Sequence, residues 1–222
     1  MDMKSVNEMN SICKKYGIKN YTIMDDGSID VDGDVYINDE GLTELPLTFN
    51  KVQGEFSCVD NKLTDLKGSP KWVGGDFYCN DNELTSLEGS PESIGGGFYC
   101  GGNKLTSLEG SPNRIDFDFD CGYNNLTSLE GSPESVGGNF YCFNNNLTSL
   151  EGSPKSIGGN FYCRNNPIVS IFDKVDMDFI RLFKSFKIIK DGVVNLKRLK
   201  YITEMFDLPI DIEKIEKYYT IK

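Results

Sequence analysis

Six cysteines stand twenty-one residues apart, at Cys58, Cys79, Cys100, Cys121, Cys142 and Cys163, with no insertion or deletion between them. A fixed period constrains a chain more than any single motif, because each unit must repeat one supersecondary turn and bury its apolar face against the next. The slots around the cysteines recur with them. An apolar residue stands six before (Val52, Val73, Ile94, Ile115, Val136, Ile157) and a Phe two before (Phe56, Phe77, Phe98, Phe119, Phe140, Phe161). An Asn follows by three and leucines by five and eight, as in Asn82, Leu84 and Leu87, before Gly-Ser-Pro closes most units. The stretch "VDGDVYINDEGLTEL" at 31–45 is a seventh, degenerate copy with Val31, Val35 and Ile37 in the apolar slots. The array fades at "RNNPIVSI", where Ile168 and Ile171 replace the leucines, so it comprises seven units, the first a cap.

Each slot has a physical reading. Strand alternation sends Phe and Cys inward and the residues between them outward. Coils stacked at about 4.8 Å place the six sulfurs in one buried file. Structural zinc needs four ligands converging on a point, which a linear file without histidine does not offer, and cytosolic thiols stay reduced. The cysteines therefore read as small core hydrophobes. Asn in the turn leaving the strand can satisfy backbone groups of its own and the neighbouring coil. Gly-Gly before the strand, as at Gly74 and Gly75, marks a close approach or a conformation that a Cβ forbids. "DVDGDVYINDEG", from Asp30 to Gly41, has the look of a calcium loop, but Val35 and Gly41 stand where Gly and Glu are needed.

The pattern F-x-C-x-x-N-x-L-T-S-L resembles the leucine-rich repeat. "LTSLEGSP" is similar to short repeats of bacterial secreted effectors, and the units look closest to repeats of the "GGDFYC…NxLTSLEGSP" type in bacteriophage and some bacterial proteins. The resemblance covers about two thirds of the chain. It departs from the family in placing Gly in the usual first leucine slot, with Val or Ile one residue earlier. It implies an α+β fold: a leucine-rich-repeat solenoid with one short strand per unit on a concave face, irregular convex loops, and helical caps at both ends. The division is then 1–30 for an N-terminal helix and hairpin, 31–171 for the array, and 172–222 for a mainly helical C-terminal cap. The similar effectors carry a separate ligase domain with a catalytic cysteine. Residues 172–222 are too few for one, so nothing catalytic is carried over and the expectation is a non-enzymatic protein-binding module. The likeness to phage proteins implies a host protein as target, such as a defence component.

The ends follow local rules. "SVNEMNSICKKY" opens with a capping box, Ser5 and Glu8, carries Val6, Met9, Ile12, Cys13 and Tyr16 on its apolar face, and stops at Gly17. A hairpin turning at Asp26-Gly27 follows. Beyond the array, "DKVDMDFIRLFKSF" suits a helix with Val175, Phe179, Leu182, Phe183 and Phe186 inward. "KIIKDGVV" reads as a hairpin, and "NLKRLKYITEMF" as a helix from Asn195 with Leu196, Leu199, Ile202 and Phe206 inward.

Charge narrows the partners. The chain carries a net −11 and no histidine. Residues 31–171 hold 8 Lys/Arg against 20 Asp/Glu, residues 172–222 hold 11 against 9. An acidic array opposes direct nucleic-acid binding, which needs a basic footprint, and the absence of histidine removes the commonest general base and metal ligand. No apolar run suits a membrane span and the start lacks a signal peptide. The expectation is a cytoplasmic protein, in the host cytoplasm if phage-encoded, with no metal, cofactor or membrane partner.

The outward positions carry the functional expectation. Tyr78, Tyr99, Tyr141 and Tyr162 precede four of the six cysteines, and aromatic residues are enriched in interface hot spots; stacked tyrosines also stabilise a sheet across its strands. Phe143 and Arg164 follow two cysteines. The fourth of the six cysteine-bearing units (the count used for coils from here on), "RIDFDFDCGY" from Arg114 to Tyr123, replaces Gly-Gly-x-Phe-Tyr with Asp116, Phe117, Asp118, Phe119 and Asp120. Asp118 and Asp120 are expected to project between Tyr99 and Tyr141 and to suit an arginine held bidentately while stacked on tyrosine. The expected contact set is Tyr78, Tyr99, Asp118, Asp120, Tyr123, Tyr141, Phe143, Tyr162 and Arg164, facing a protein with a basic patch. Two alternatives stand beside it: sequestration of a small ligand such as a nucleotide, which the acidity opposes for phosphates, and mimicry of nucleic acid by the acidic surface.

Overall fold

The computed structural model describes residues 4–169, 178, 183, 185, 188–190, 193–205, 210, 212–216 and 219–222. The repeat folds into a parallel β-solenoid. Where the sequence pattern suggests one strand per unit, each complete coil contributes two, both very short. A corner strand ends on the apolar residue six before the cysteine (Trp72–Val73, Ser93–Ile94, Ser135–Val136), and a face strand holds the Phe and the residue after it (Phe77–Tyr78, Phe98–Tyr99, Phe140–Tyr141). The seven face strands, Val35–Tyr36 to Phe161–Tyr162, pair in register as one parallel sheet, Val35 on Phe56 and then Phe on Phe, with outward residue on outward residue.

The bend between the two strands is the Gly-Gly pair. A Cβ on Gly74, Gly95, Gly137 or Gly158 would run into the backbone carbonyl oxygen one coil back, so the coils close at this corner only because the side chain is missing. The fourth unit has Asp116 and Phe117 there, and the corner ladder breaks at that coil. Gly95 and Gly96 donate to Val73 and Gly75 of the coil behind, and Gly137 and Gly138 donate to Ile115 and Phe117. Among the described residues Asp116 and Phe117 make no such bond to the third coil, and the corner strands fall into two separate sheets, one ending at Ser93–Ile94 and one starting at Arg114–Ile115.

Inside, the slots become files. The six Phe rings stack with centroids 5.3–5.5 Å apart. The six array cysteines are buried, and burial pushes the Cys58 thiol up to about 12. Leucines such as Leu105 and Leu108 are fully buried beside them. The asparagine file supplies the polar counterpart. Asn124 accepts from Leu105 N of the preceding coil at 2.9 Å and donates to the carbonyls of Cys100, Cys121 and Gly122 at 3.1, 3.2 and 3.2 Å. Asn82, Asn103, Asn145 and Asn166 repeat the arrangement. Each amide thus pairs backbone groups that would otherwise be buried without partners.

The N-terminal helix Val6–Lys15 has Ser5 as N-cap and the reciprocal Ser5–Glu8 capping box. Met9 and Cys13 are buried, but Val6 is 58% exposed, contrary to its expected place on the apolar face; it lies in the first turn, before the residues that reach the core. Strand Tyr21–Ile23 pairs antiparallel with Ile29–Val31, which runs parallel to Phe49–Val52 and so extends the corner sheet. At the other end Ile189–Lys190 and Val193–Val194 form the expected hairpin, joined by an unanticipated parallel strand, Thr220–Ile221. The helix Leu196–Met205 buries Leu199, Ile202 and Thr203. Of the inward residues expected of the preceding helix, Phe183 is buried, while Val175, Phe179, Leu182 and Phe186 lie outside the described residues, as does Phe206. Tyr219 donates its hydroxyl to Thr148 O at 3.1 Å, tying the tail to the last coils.

Candidate functional site

The outer face of the seven-stranded sheet is built from four columns per coil, set by alternation about the buried Phe and Cys. Three residues before the cysteine stand Asp34, Glu55, Asp76, Gly97, Asp118, Asn139 and Asn160; one before stand Tyr36, Ser57, Tyr78, Tyr99, Asp120, Tyr141 and Tyr162. One after stand Asn38, Val59, Asn80, Gly101, Gly122, Phe143 and Arg164. The next position bends the chain into the left-handed region at Asp39, Asp60, Asp81, Gly102, Tyr123, Asn144 and Asn165, with φ between 53° and 67°. These columns hold eight carboxylates, all from the first, degenerate coil through the Cys121 coil, against the single cation Arg164 in the last.

The first column is partly structural. Asp76 accepts Gly97 N of the next coil and the Tyr78 hydroxyl, Asp34 accepts Glu55 N at 2.9 Å, and Asp118 accepts Asn139 N at 2.6 Å. Asp118 is therefore not a carboxylate standing free for a partner. It is half-buried, and one oxygen carries a backbone bond between coils.

The tyrosine column forms two stacks. Tyr78 and Tyr99 lie 4.7 Å apart at 11°, and Tyr141 and Tyr162 lie 4.9 Å apart at 3°. Between them, in register with Tyr99 on one side and Tyr141 on the other, stands Asp120. Its carboxylate accepts Gly122 N at 2.8 Å, and its pKa is raised, chiefly by burial and further by Asp118 and Asp81. The rings feel the same environment. Tyr99 is pushed up to about 12 by burial and then by Asp76, Asp118 and Asp120, and Tyr141 is raised by burial and then by Asp118. No Lys or Arg among the described residues pairs with Asp118 or Asp120.

Beyond the gap the face turns aromatic. Tyr123 meets Phe143 edge-on at 5.3 Å, Phe143 meets Tyr141 edge-on at 6.2 Å, and Arg164 lies over the Phe143 ring at 5.5 Å. The Phe143 ring covers Gly122, where a Cβ would clash with it. Tyr123 is 61% exposed and adopts φ 54°, a conformation its counterparts meet with Asp, Asn or Gly. A bulky residue there carries strain of the kind that concentrates at functional sites.

All nine expected contact residues thus lie on one face, most of them in coils three to six, with Tyr78 at the far end of the first stack. Two exposed aromatics of the array escaped the expectation. Phe117, 58% exposed, takes the place of a corner glycine, a substitution visible in the repeat alignment. Tyr36, 50% exposed, hydrogen-bonds Glu55 at 2.8 Å and is legible only once the first degenerate unit is phased with the rest. Among the described residues no group of three or more Cys, Asp or Glu is arranged to hold a metal ion, and no helix is long and apolar enough to cross a membrane. Comparison with protein-family models, with curated proteins and with solved structures finds no match.

Proposed function

We propose that this solenoid is a non-catalytic protein-binding module of the leucine-rich-repeat class, and that the outer face of its tyrosine sheet takes a partner presenting a basic patch. The observation that carries the reading is the face itself: two tyrosine stacks and an edge-on aromatic cluster on an in-register parallel sheet, with eight carboxylates against one cation. Aromatic side chains supply contact area at low entropic cost, and one-signed charge steers a complementary partner. The 21-residue period, paired leucines and buried asparagine file support the leucine-rich-repeat assignment. The array thiols support the non-catalytic reading, since burial raises Cys79, Cys100, Cys121 and Cys142 well above the ordinary range and leaves them without thiolate character. By the likeness of its repeats to phage proteins, the partner is a bacterial host protein.

The test uses the full chain as bait in bacterial lysate, beside a Tyr141→Ser, Tyr162→Ser variant and a Glu130→Lys variant. Serine already occupies the same column at Ser57, so the first variant keeps the fold, while Glu130 is an exposed residue of the return turn. A captured protein that binds the purified chain in titration, loses affinity about tenfold with the double variant and weakens with salt supports the reading. A partner indifferent to the double variant and lost with Glu130→Lys overturns it.

A further inference from the structure

The tyrosine column and the corner ladder are both interrupted at the fourth coil, while the face sheet runs through it in register. The tyrosine stack stops at Tyr99 and resumes at Tyr141. The corner ladder is broken between the third and fourth coils. Gly97, Gly101 and Gly122 add no side chains of their own there, and neighbouring rings lean over two of them, Tyr99 over Gly97 and Phe143 over Gly122. Gly97 lies beneath the Tyr99 hydroxyl, and Gly122 beside the Asp120 carboxylate.

The size of the gap follows from the register. Asp120 pairs with both Tyr99 and Tyr141, and parallel neighbours lie about 4.8 Å apart, so the strands that carry the two rings stand about 9.6 Å apart. A flat group touching both at ordinary carbon contact distances of about 3.5–4.0 Å needs about 7–8 Å. One planar group fits. Two carboxylates, Asp118 and Asp120, line the space, with Asp81 near enough to act on Asp120. Asp120 is kept there although burial disfavours its charge; the Gly122 N–H offsets that only in part, and no Lys or Arg among the described residues pairs with it.

We propose that this gap receives one guanidinium group, an arginine side chain of the partner, sandwiched between Tyr99 and Tyr141 and bonded to Asp120, with the charge of Asp118, whose oxygens already accept from Asn139, beside it; the assignment rests on the reading of this face as a protein-binding surface. Arginine meets each requirement at once. Its plane stacks on aromatic faces, its fork of donors matches carboxylates, and it gives up water more readily than an ammonium does. A lysine supplies the charge without the plane. A neutral heterocycle stacks but leaves both carboxylates uncompensated, and a phosphate is repelled by them.

The probe is the peptide acetyl-Gly-Arg-Gly-amide, titrated into the full chain with labelled tyrosine rings and followed by NMR, with citrulline and lysine counterparts alongside. The expected result is a saturable shift of the Tyr99 and Tyr141 ring signals, weakened about tenfold or more with citrulline and in the Asp120→Asn chain, weaker with lysine, and unchanged in Glu130→Lys. Asp120→Asn keeps the acceptor for Gly122 N, so loss of binding there is not loss of fold. No saturable shift, an equal response to citrulline or lysine, or shifts away from these two rings overturns the proposal. The two readings fail separately. If the peptide is ignored while a captured partner still depends on Tyr141 and Tyr162, only the arginine receptor falls. If the peptide binds the gap while every captured protein ignores the face, the protein-partner reading falls instead.

Discussion

Replacing Asn124 with alanine tests the element that joins one coil to the next. Its side chain is 6% exposed and makes four hydrogen bonds, two within its own coil and two to the coil before. Their losses are unequal. The carbonyl of Cys121 keeps a bond from Asn145 and that of Cys100 keeps one from Asn103, whereas Leu105 N loses its only acceptor in a buried position. Orphaning a buried donor costs about 1–3 kcal/mol, and the weakened carbonyl contacts add about 1 kcal/mol. The total, about 2–4 kcal/mol, is a large part of the stability of an ordinary domain. For a chain of this size it lowers Tm by about 4–16 °C. The assay is thermal melting by circular dichroism, with Asn125→Ala as control, since Asn125 is exposed and its substitution should stay within about 0.5 kcal/mol. Asn124→Asp sharpens the test: the acceptor for Leu105 N remains, but a carboxylate then faces three carbonyl oxygens, so the loss should be worst at neutral pH and recover on acidification. Equal melting of Asn124→Ala and Asn125→Ala would falsify the view that the asparagine file holds the coils together.

Three further outcomes are expected. Burial raises the pKa of Asp120 in the folded chain, so its ionised form destabilises the fold; that penalty is absent below the unfolded carboxylate pKa of about 4 and complete above the folded value. Asp120→Asn should therefore melt higher than the parent at pH 7 and at the same temperature at pH 3, and a lower Tm at pH 7 refutes the assignment of cost. Tyr123→Asn places at φ 54° the residue found at Asn144 and Asn165; relief of about 1–2 kcal/mol should raise Tm while affinity for the partner drops, and stability lost together with affinity would mean that Tyr123 is structural. Asp116→Gly with Phe117→Gly should let the fourth coil close on the third and gain two backbone hydrogen bonds of about 1 kcal/mol each, read as slower amide exchange at those positions; unchanged exchange means that something other than the Cβ keeps the corner open.

Much of this molecule is legible in the repeat because burial selects residue types. Phe, Cys and Leu recur where a stacked coil must be dry, and Asn where a turn must pair backbone groups. The second strand of each coil was not legible. It is two residues long, too short for alternation to register, and its neighbours are glycines, which carry no pattern of their own. The helix Val6–Lys15 was announced by its capping box, while the exposure of Val6 depends on where the core ends.

The candidate site divides in the same way. The outward column of tyrosines and the acidic irregularity of the fourth unit follow from the order of residues alone, because the period of two fixes which side chains leave the sheet. Only stacking coils on one another decided that Asp118 spends an oxygen on the backbone of Asn139 and that Tyr123 holds a left-handed turn beside Phe143. Those relations join residues about twenty-one positions apart across a spacing of about 4.8 Å. Alternation along one strand carries no record of what the neighbouring coil places opposite it; the register between coils does.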